Sequence, residues 1–174
     1  MSDLIADVIF ESRKYKNWAD KALAGLSDEA FFRRPAEHVN PIALIVKHVA
    51  GNLLSRWTDF LTTDGEKPTR ERDDEFTLAP GDTRVSLMAA WEAGWQALFD
   101  TLSGLSDADL GRTVIIRGEP HRVQQALLRG IDHSAYHTGQ ILYLARLLNP
   151  DSPWLTVPPG ASRNLPGRYL KPPA

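Results

Sequence analysis

Four long stretches of this chain carry apolar residues at three- and four-residue steps, the period that aligns side chains along one face of an α-helix. The first opens behind Ser2 and Asp3 and runs through Leu4, Val8, Tyr15, Trp18 and Ala22. Its pattern breaks at Glu11 and Ser12, and Gly25 ends it. The second follows Asn40-Pro41, a capping residue and a proline suited to a first helical turn. It carries Ile42, Ile45, Val49, Leu53 and Phe60 to about Leu61. The third is read as capped by Asp82, shows Val85, Met88, Trp91, Trp95, Leu98 and Leu102, and stops at Gly104. The fourth extends from about Val123 to Asn149, ahead of Pro150, with Leu127, Ile131, Leu144 and Leu148 on its apolar side. Four such stripes have to be buried against one another, which predicts an all-α four-helix bundle.

The segments between the helices are also informative. Ser27-Asp28-Glu29 and Ser106-Asp107 read as short turns. Residues 63–80 lose the helical period and mix six carboxylates with Lys67, Arg70 and Arg72, which reads as a solvated surface loop. Between Val114 and Val123, apolar residues flank Gly118 and Pro120, both helix breakers, so a small hairpin or extended crossover is expected. The last 25 residues hold seven of the twelve prolines, so 150–174 is an extended Pro-rich tail behind core helices spanning about 2–149. Trp154, Leu155 and Val157 give that tail something to pack with. No repeat or second composition block divides residues 1–174, which read as one domain with long connections and crossovers.

Several function classes can be set aside. A net charge of −2 gives no electrostatic footprint for nucleic acid or an anionic membrane. With no cysteine, the chain has no disulfide, no Cys-based zinc site and no cysteine nucleophile, and the absence is compatible with a reducing compartment. Met1 to Phe10 includes Asp3 and Asp7 and lacks a basic lead-in, so no signal peptide is expected. No apolar run approaches the ~20 residues that span a bilayer, and a cytoplasmic protein is the expectation.

His133 and His137 lie four residues apart in the fourth helix, within Ile131-Asp132-His133-Ser134-Ala135-Tyr136-His137-Thr138-Gly139-Gln140-Ile141. That spacing stacks two imidazoles one turn apart, where both can reach one cation. Either each is a core histidine with a satisfied ring, or the pair ligates metal; spacing alone leaves both open. Reactive zinc usually has three protein ligands and an open position. His38 precedes the second helix in a polar loop, and His121 sits beside proline and arginine and reads as solvent-facing. His48 lies mid-helix between apolar turns, and is the preferred third ligand. The HExxH glutamate of metalloproteases is replaced by Ser134, and the ExxH pattern of ferritin-like bundles is missing too. Gly130 and Gly139 sit inside the helix, which a close helix approach, an open cavity beside the histidines or ordinary tight packing would each explain. Tyr136 and Gln140 lie near the histidine face and either line a pocket or simply pack. Asp132 points away from that face and reads as exposed.

Three blocks taken together resemble the DinB-like superfamily, also described as YfiT-like metal-dependent hydrolases. They are His48-Val49-Ala50-Gly51-Asn52-Leu53 with Arg56 through Glu66, Ile116-Arg117-Gly118-Glu119, and Asp132 through Ile141. The resemblance is to a bacterial branch of unknown function. It implies a four-helix bundle with crossover topology, commonly a homodimer, and a divalent metal, often nickel or zinc. Carried over to this chain, the metal ligands are His48, His133 and His137. Characterised relatives include thiol-dependent transferases and isomerases that use bacillithiol, mycothiol or glutathione. Two function classes follow. One is an enzyme on small molecules, with a thiol-dependent transferase favoured over a hydrolase; the other is a non-catalytic metal-bound bundle of a stress response.

Overall fold

The computed structural model describes residues 3–151, 154–155 and 157–161. In chain order these form α1 (Asp3–Ala24), α2 (Asp28–Phe32), α3 (Ile42–Trp57), α4 (Arg84–Gly104), β1 (Thr113–Ile116), β2 (Glu119–Arg122) and α5 (Val123–Leu148). Two 3₁₀ turns, Arg72–Phe76 and Asp107–Asp109, interrupt the connections. The fold is an all-α bundle of the four long helices, as the apolar periodicity predicts, with α3 packed most extensively on α4 and α1 on α5. α3 buries 13 of its 16 residues, so it is the central helix, covered on nearly all sides. The indoles of Trp91 and Trp95 are fully buried in the core of this one chain. Trp91 Nε1 donates to Asp20 Oδ1 at 2.9 Å, which ties α4 to α1.

Several sequence expectations change at the helix ends. Asn40 does not cap α3: Pro41 occupies that position, and its carbonyl accepts the amides of Leu44 and Ile45. α3 ends at Trp57 rather than near Leu61, because the chain turns at Asp59 with φ of 49° and Thr101 Oγ1 donates to the Trp57 carbonyl. α4 is capped by Thr83, not Asp82, through reciprocal bonds with Ser86. Asp82 instead accepts from Lys47 and from the amide of Ala79. Val85 is 81% exposed, and Leu87 takes its expected place on the buried face. α1 is unbroken through Glu11 and Ser12, since the small Ser12 side chain fits the core at 2% exposure.

The hairpin forms with Ile116 paired to Glu119, which leaves Arg117 and Gly118 as its two turn residues. Both have positive φ, 57° and 75°, the backbone of the tight turn that joins twisted strands. Asp64 fastens this turn to the connection between α3 and α4. Its carboxylate accepts the amides of Arg117 at 2.8 Å and Gly118 at 2.7 Å, and Gly65 N donates to the Ile115 carbonyl at 2.8 Å. Residues 63–80 are therefore only partly the solvated loop their charges suggested: Asp73 and Asp74 are exposed, but Arg72–Phe76 packs on α3 and buries Glu75. In the Pro-rich tail, Arg146 sits over the Trp154 ring at 4.0 Å and Leu155 packs against the core. Residues 152, 153, 156 and 162–174, also assigned to that tail, lie outside the described residues.

The two helical glycines differ, and a close helix approach is found at one of them. Gly139 faces open space, whereas a Cβ at Gly130 would sit 2.6 Å from Cζ2 of Trp57. Trp57 is 2% exposed and packs on Phe60, so it has little room to yield. Overpacking of this kind costs roughly 1–3 kcal/mol, against about 1 kcal/mol gained in helix propensity. Gly130→Ala is predicted to lower the urea midpoint, with a net loss of about 1–2 kcal/mol. An unchanged or higher midpoint would show that α5 and Trp57 are not in close contact.

Candidate metal centre

α3 brings His48 to the seam between α3 and α5, and α5 brings His133 and His137 from successive turns. One ring nitrogen from each of the three lies within 4.8 Å of the other two. Nε2 of His48 and Nε2 of His133 stand 3.3 Å apart. Two nitrogens at ~2.0–2.1 Å from one tetrahedral cation would be separated by about 3.3–3.4 Å, so the spacing suits a shared ion. The donor set, three imidazoles without a thiolate, suits zinc or nickel.

The rings are held from behind by different means. His48 is 5% exposed, and its Nδ1 is 2.8 Å from Glu75 Oε2. With Nδ1–H donating to that carboxylate, Nε2 is left with a free lone pair. Glu75 is in turn gripped by Arg70, whose Nε donates to Oε1 at 2.7 Å and whose Nη2 donates to Oε2 at 2.8 Å. Arg70 Nη1 donates to Glu66 at 3.0 Å. His137 Nδ1 lies 2.8 Å from Gln140 Oε1, one turn along α5, an arrangement that also leaves Nε2 available. Nδ1 of His133 is buried and has no hydrogen-bond partner among the described residues.

Electrostatics favours neutral imidazoles. Burial, reinforced by His137, His48, Arg56 and Arg70, pulls His133 down to about 3. Burial likewise lowers His137, against the opposing bond to Gln140. Burial alone would raise Glu75, but the hydrogen bonds from His48 and Arg70 outweigh it and hold the carboxyl below its ordinary value. At neutral pH the chain thus presents uncharged rings on α5 and an ionised carboxylate behind His48, the protonation states that metal ligation needs.

A cleft of about 460 Å³ opens onto His48 and His137. His38, Phe76, Tyr136, Gln140 and Tyr143 contribute to its walls, and none of its lining residues is a carboxylate. Tyr136 and Gln140 therefore border a pocket, although Tyr136 is 63% exposed. His38 is exposed at this cleft and outside the imidazole cluster. His121 is not solvent-facing, contrary to its sequence neighbourhood. It is 8% exposed, with Nδ1 3.0 Å from the Glu119 carbonyl and Nε2 3.1 Å from Arg129 Nη1, too engaged to be a ligand. Asp132 is exposed, as expected. A larger cleft of about 550 Å³, between the C-terminal parts of α1 and α5, contains no histidine or carboxylate.

Glu75 is the residue that sequence reasoning missed, because it sits in a run of exposed acidic residues. The available signal was Gly51, on the turn after His48: a Cβ there would lie 2.2 Å from Glu75 Oε1. The glycine leaves room for a carboxylate against the helix.

The depressed pKa of His133 has a consequence for stability. The folded state keeps this ring neutral while the unfolded chain protonates near 6.5, so between about 3 and 6.5 the unfolded state binds more protons. Stability of the metal-free protein is therefore complete above about pH 6.5 and falls as pH drops toward 3, by an amount on the order of a few kcal/mol. Denaturation followed across that range in wild type and His133→Asn should show a shallower pH slope in the variant. Equal slopes in the two proteins between about pH 5.5 and 6.5, above most of the titration of an unfolded glutamate, would contradict the assignment.

Over residues 2–161 the chain matches the family described as "Protein of unknown function (DUF1572)". The match covers most of the chain, which therefore belongs to this family. Among curated proteins, none matches it. No helix among the described residues is long and apolar enough to cross a membrane.

Proposed function

We propose that this protein is a DinB-like metal protein that binds one divalent ion, nickel or zinc, through His48, His133 and His137. We read it as an enzyme on small molecules in which an exogenous thiol is the nucleophile. The observation that carries this reading is the convergence of three ring nitrogens within 4.8 Å at a helix seam. A divalent cation in that position supplies Lewis acidity, which lowers the pKa of a thiol or a water that reaches it. Glu75 and Gln140 orient two of the rings, and Arg70 keeps Glu75 ionised and in place. Phe76, 4.8 Å from the His48 ring, and Leu144 give the cleft an apolar wall that limits water around the reacting groups.

The choice of thiol over water rests on the composition of the cleft. Water activation is helped by a carboxylate that accepts its proton, and the lining has none. Glu75 is committed to His48 and Arg70. The chain has no cysteine, so a sulfur nucleophile has to arrive from solution. The exposed Tyr136, Tyr143 and Leu147 on α5 support a homodimer as the working form, with the cleft near the contact.

Two sets of measurements test this. His48→Ala, His133→Ala and His137→Ala should each abolish stoichiometric metal content, whereas His38→Ala and His121→Ala should retain it. Glu75→Ala should weaken metal affinity by roughly 10–100-fold, the usual effect of removing a carboxylate behind a ligating histidine. The cobalt-substituted protein, titrated with glutathione, cysteine, bacillithiol and mycothiol, should develop thiolate-to-metal charge-transfer absorption with at least one of them. Thiol-insensitive spectra, together with ester cleavage that needs no thiol and is lost in His137→Ala, would replace the transferase with a hydrolase. Bound metal with neither response would favour a non-catalytic bundle.

A further inference from the structure

The polar seam between α3 and α5 continues past the histidines. α3 carries His48, Asn52 and Arg56 at four-residue steps, and α5 carries Arg129, His133 and His137 likewise, so each row shares one helix face. His48 meets His133 and His137 across the seam, while Arg56 lies toward the hairpin: a Cβ at Gly65 would be 3.6 Å both from Arg56 Cδ and from the Ile115 carbonyl oxygen, and Arg129 is bonded to His121 of the same hairpin. The two rows thus run antiparallel, with the arginines at the far end from His137.

Arg56 is the anomaly of this seam. It is 5% exposed, its Nε has no hydrogen-bond partner, and it enters no ion pair among the described residues. The charges around it are the cations Arg129, Arg70 and Arg117 against one carboxylate, Glu66. Glu66 already accepts from both Arg70 and Arg117, and Arg70 is also held by Glu75. Burial and these like charges pull the Arg56 guanidinium down to about 10. Buried charges in proteins are paired or coordinated, and no carboxylate among the described residues forms an ion pair with this one.

We infer that Arg56, with the buried amide of Asn52 and the guanidinium of Arg129, forms a subsite for an oxyanion, the carboxylate or phosphate of a small-molecule ligand. A guanidinium presents its N–H groups in a planar fork that matches two oxygens of such a group. Arg129 is exposed and gives the subsite its opening, and its Nη1 is anchored on Nε2 of the buried His121. Asn52 lies one turn from Arg56 toward His48, so a ligand anchored by its anionic end extends along the seam to the histidines. The oxyanion assignment rests on the arginines alone; only the direction of the ligand rests on the proposed function.

Calorimetry on tag-free, metal-loaded protein tests this, with inorganic phosphate in one arm and succinate in the other, each against sodium chloride of matched ionic strength. Saturable binding of at least one anion is expected, and the preferred arm distinguishes phosphorylated from carboxylated ligands. Arg56→Gln should weaken that binding at least tenfold, Arg56→Lys should fall in between, and Arg129→Gln should weaken it several-fold. Metal content should match wild type in all three. Arg56→Gln should also unfold at no lower a temperature than wild type in anion-free buffer, because it removes an uncompensated buried cation. If it does not fold, the exposed Arg129→Gln decides the matter by its own loss of affinity. No saturable binding of either anion, or full affinity retained in the arginine variants, overturns the proposal. Anion binding by wild-type protein that takes up no metal would refute the histidine reading and leave this one standing.

Discussion

The hydrogen bond between His48 and Glu75 joins the two parts of this molecule that have to be in register for the seam to be polar. One part is α3, the most buried helix of the bundle. The other is the long connection from α3 to α4, which returns over that helix and inserts a carboxylate against it at Gly51. Arg70 and Glu66 extend the bond toward the hairpin, and Asp64 clamps the hairpin turn to the same connection. A charged carboxylate buried at 6% exposure is tolerated because Arg70 pairs with it in two places. Loss of that pairing would leave His48 without a fixed tautomer and the connection without its anchor.

The other helix interfaces are mainly apolar, with isolated polar ties such as Trp91 to Asp20 and Thr101 to the Trp57 carbonyl, whereas the imidazoles gather at one seam. α3 packs on α4, with Gly94 against Ala50 and Leu53, and α1 packs on α5, all four helices giving apolar side chains to one core. Among the described residues, three imidazoles meet between α3 and α5, and Asn52 and Arg56 continue the row of His48 along α3. Low polarity around that seam keeps His133 and His137 neutral and makes an unpaired guanidinium anomalous. On the proposed reading, one end of the seam takes a cation and the other an anion, a division that suits a ligand with a reactive end and a charged end.

Much of this was legible in the sequence, and the limits have physical causes. The four helices follow from apolar periodicity, and the hairpin from Gly118 and Pro120. The imidazole cluster follows from a four-residue spacing plus one histidine set among apolar turns. Helix caps were misplaced by one residue in each case: Pro41 rather than Asn40 stands at the cap of α3, and at α4 Asp82 and Thr83 are equally good local choices, between which a tertiary partner of Asp82, Lys47, decides. Glu75 was hidden because its burial depends on the loop folding back over α3, which a run of exposed charges does not announce. His121 was misread for a similar reason: its partner, Arg129, is brought to it by the turn from the hairpin into α5.

The central claim is that His48, His133 and His137 together hold one divalent ion, and anomalous scattering from crystals of metal-loaded, tag-free protein addresses it most directly. Data collected on either side of the nickel or zinc absorption edge should place a single strong peak per chain between the three rings, with nitrogens at ~2.0–2.1 Å. A principal peak at His38 or His121, or density between the three rings that shows no edge-dependent signal, would contradict it.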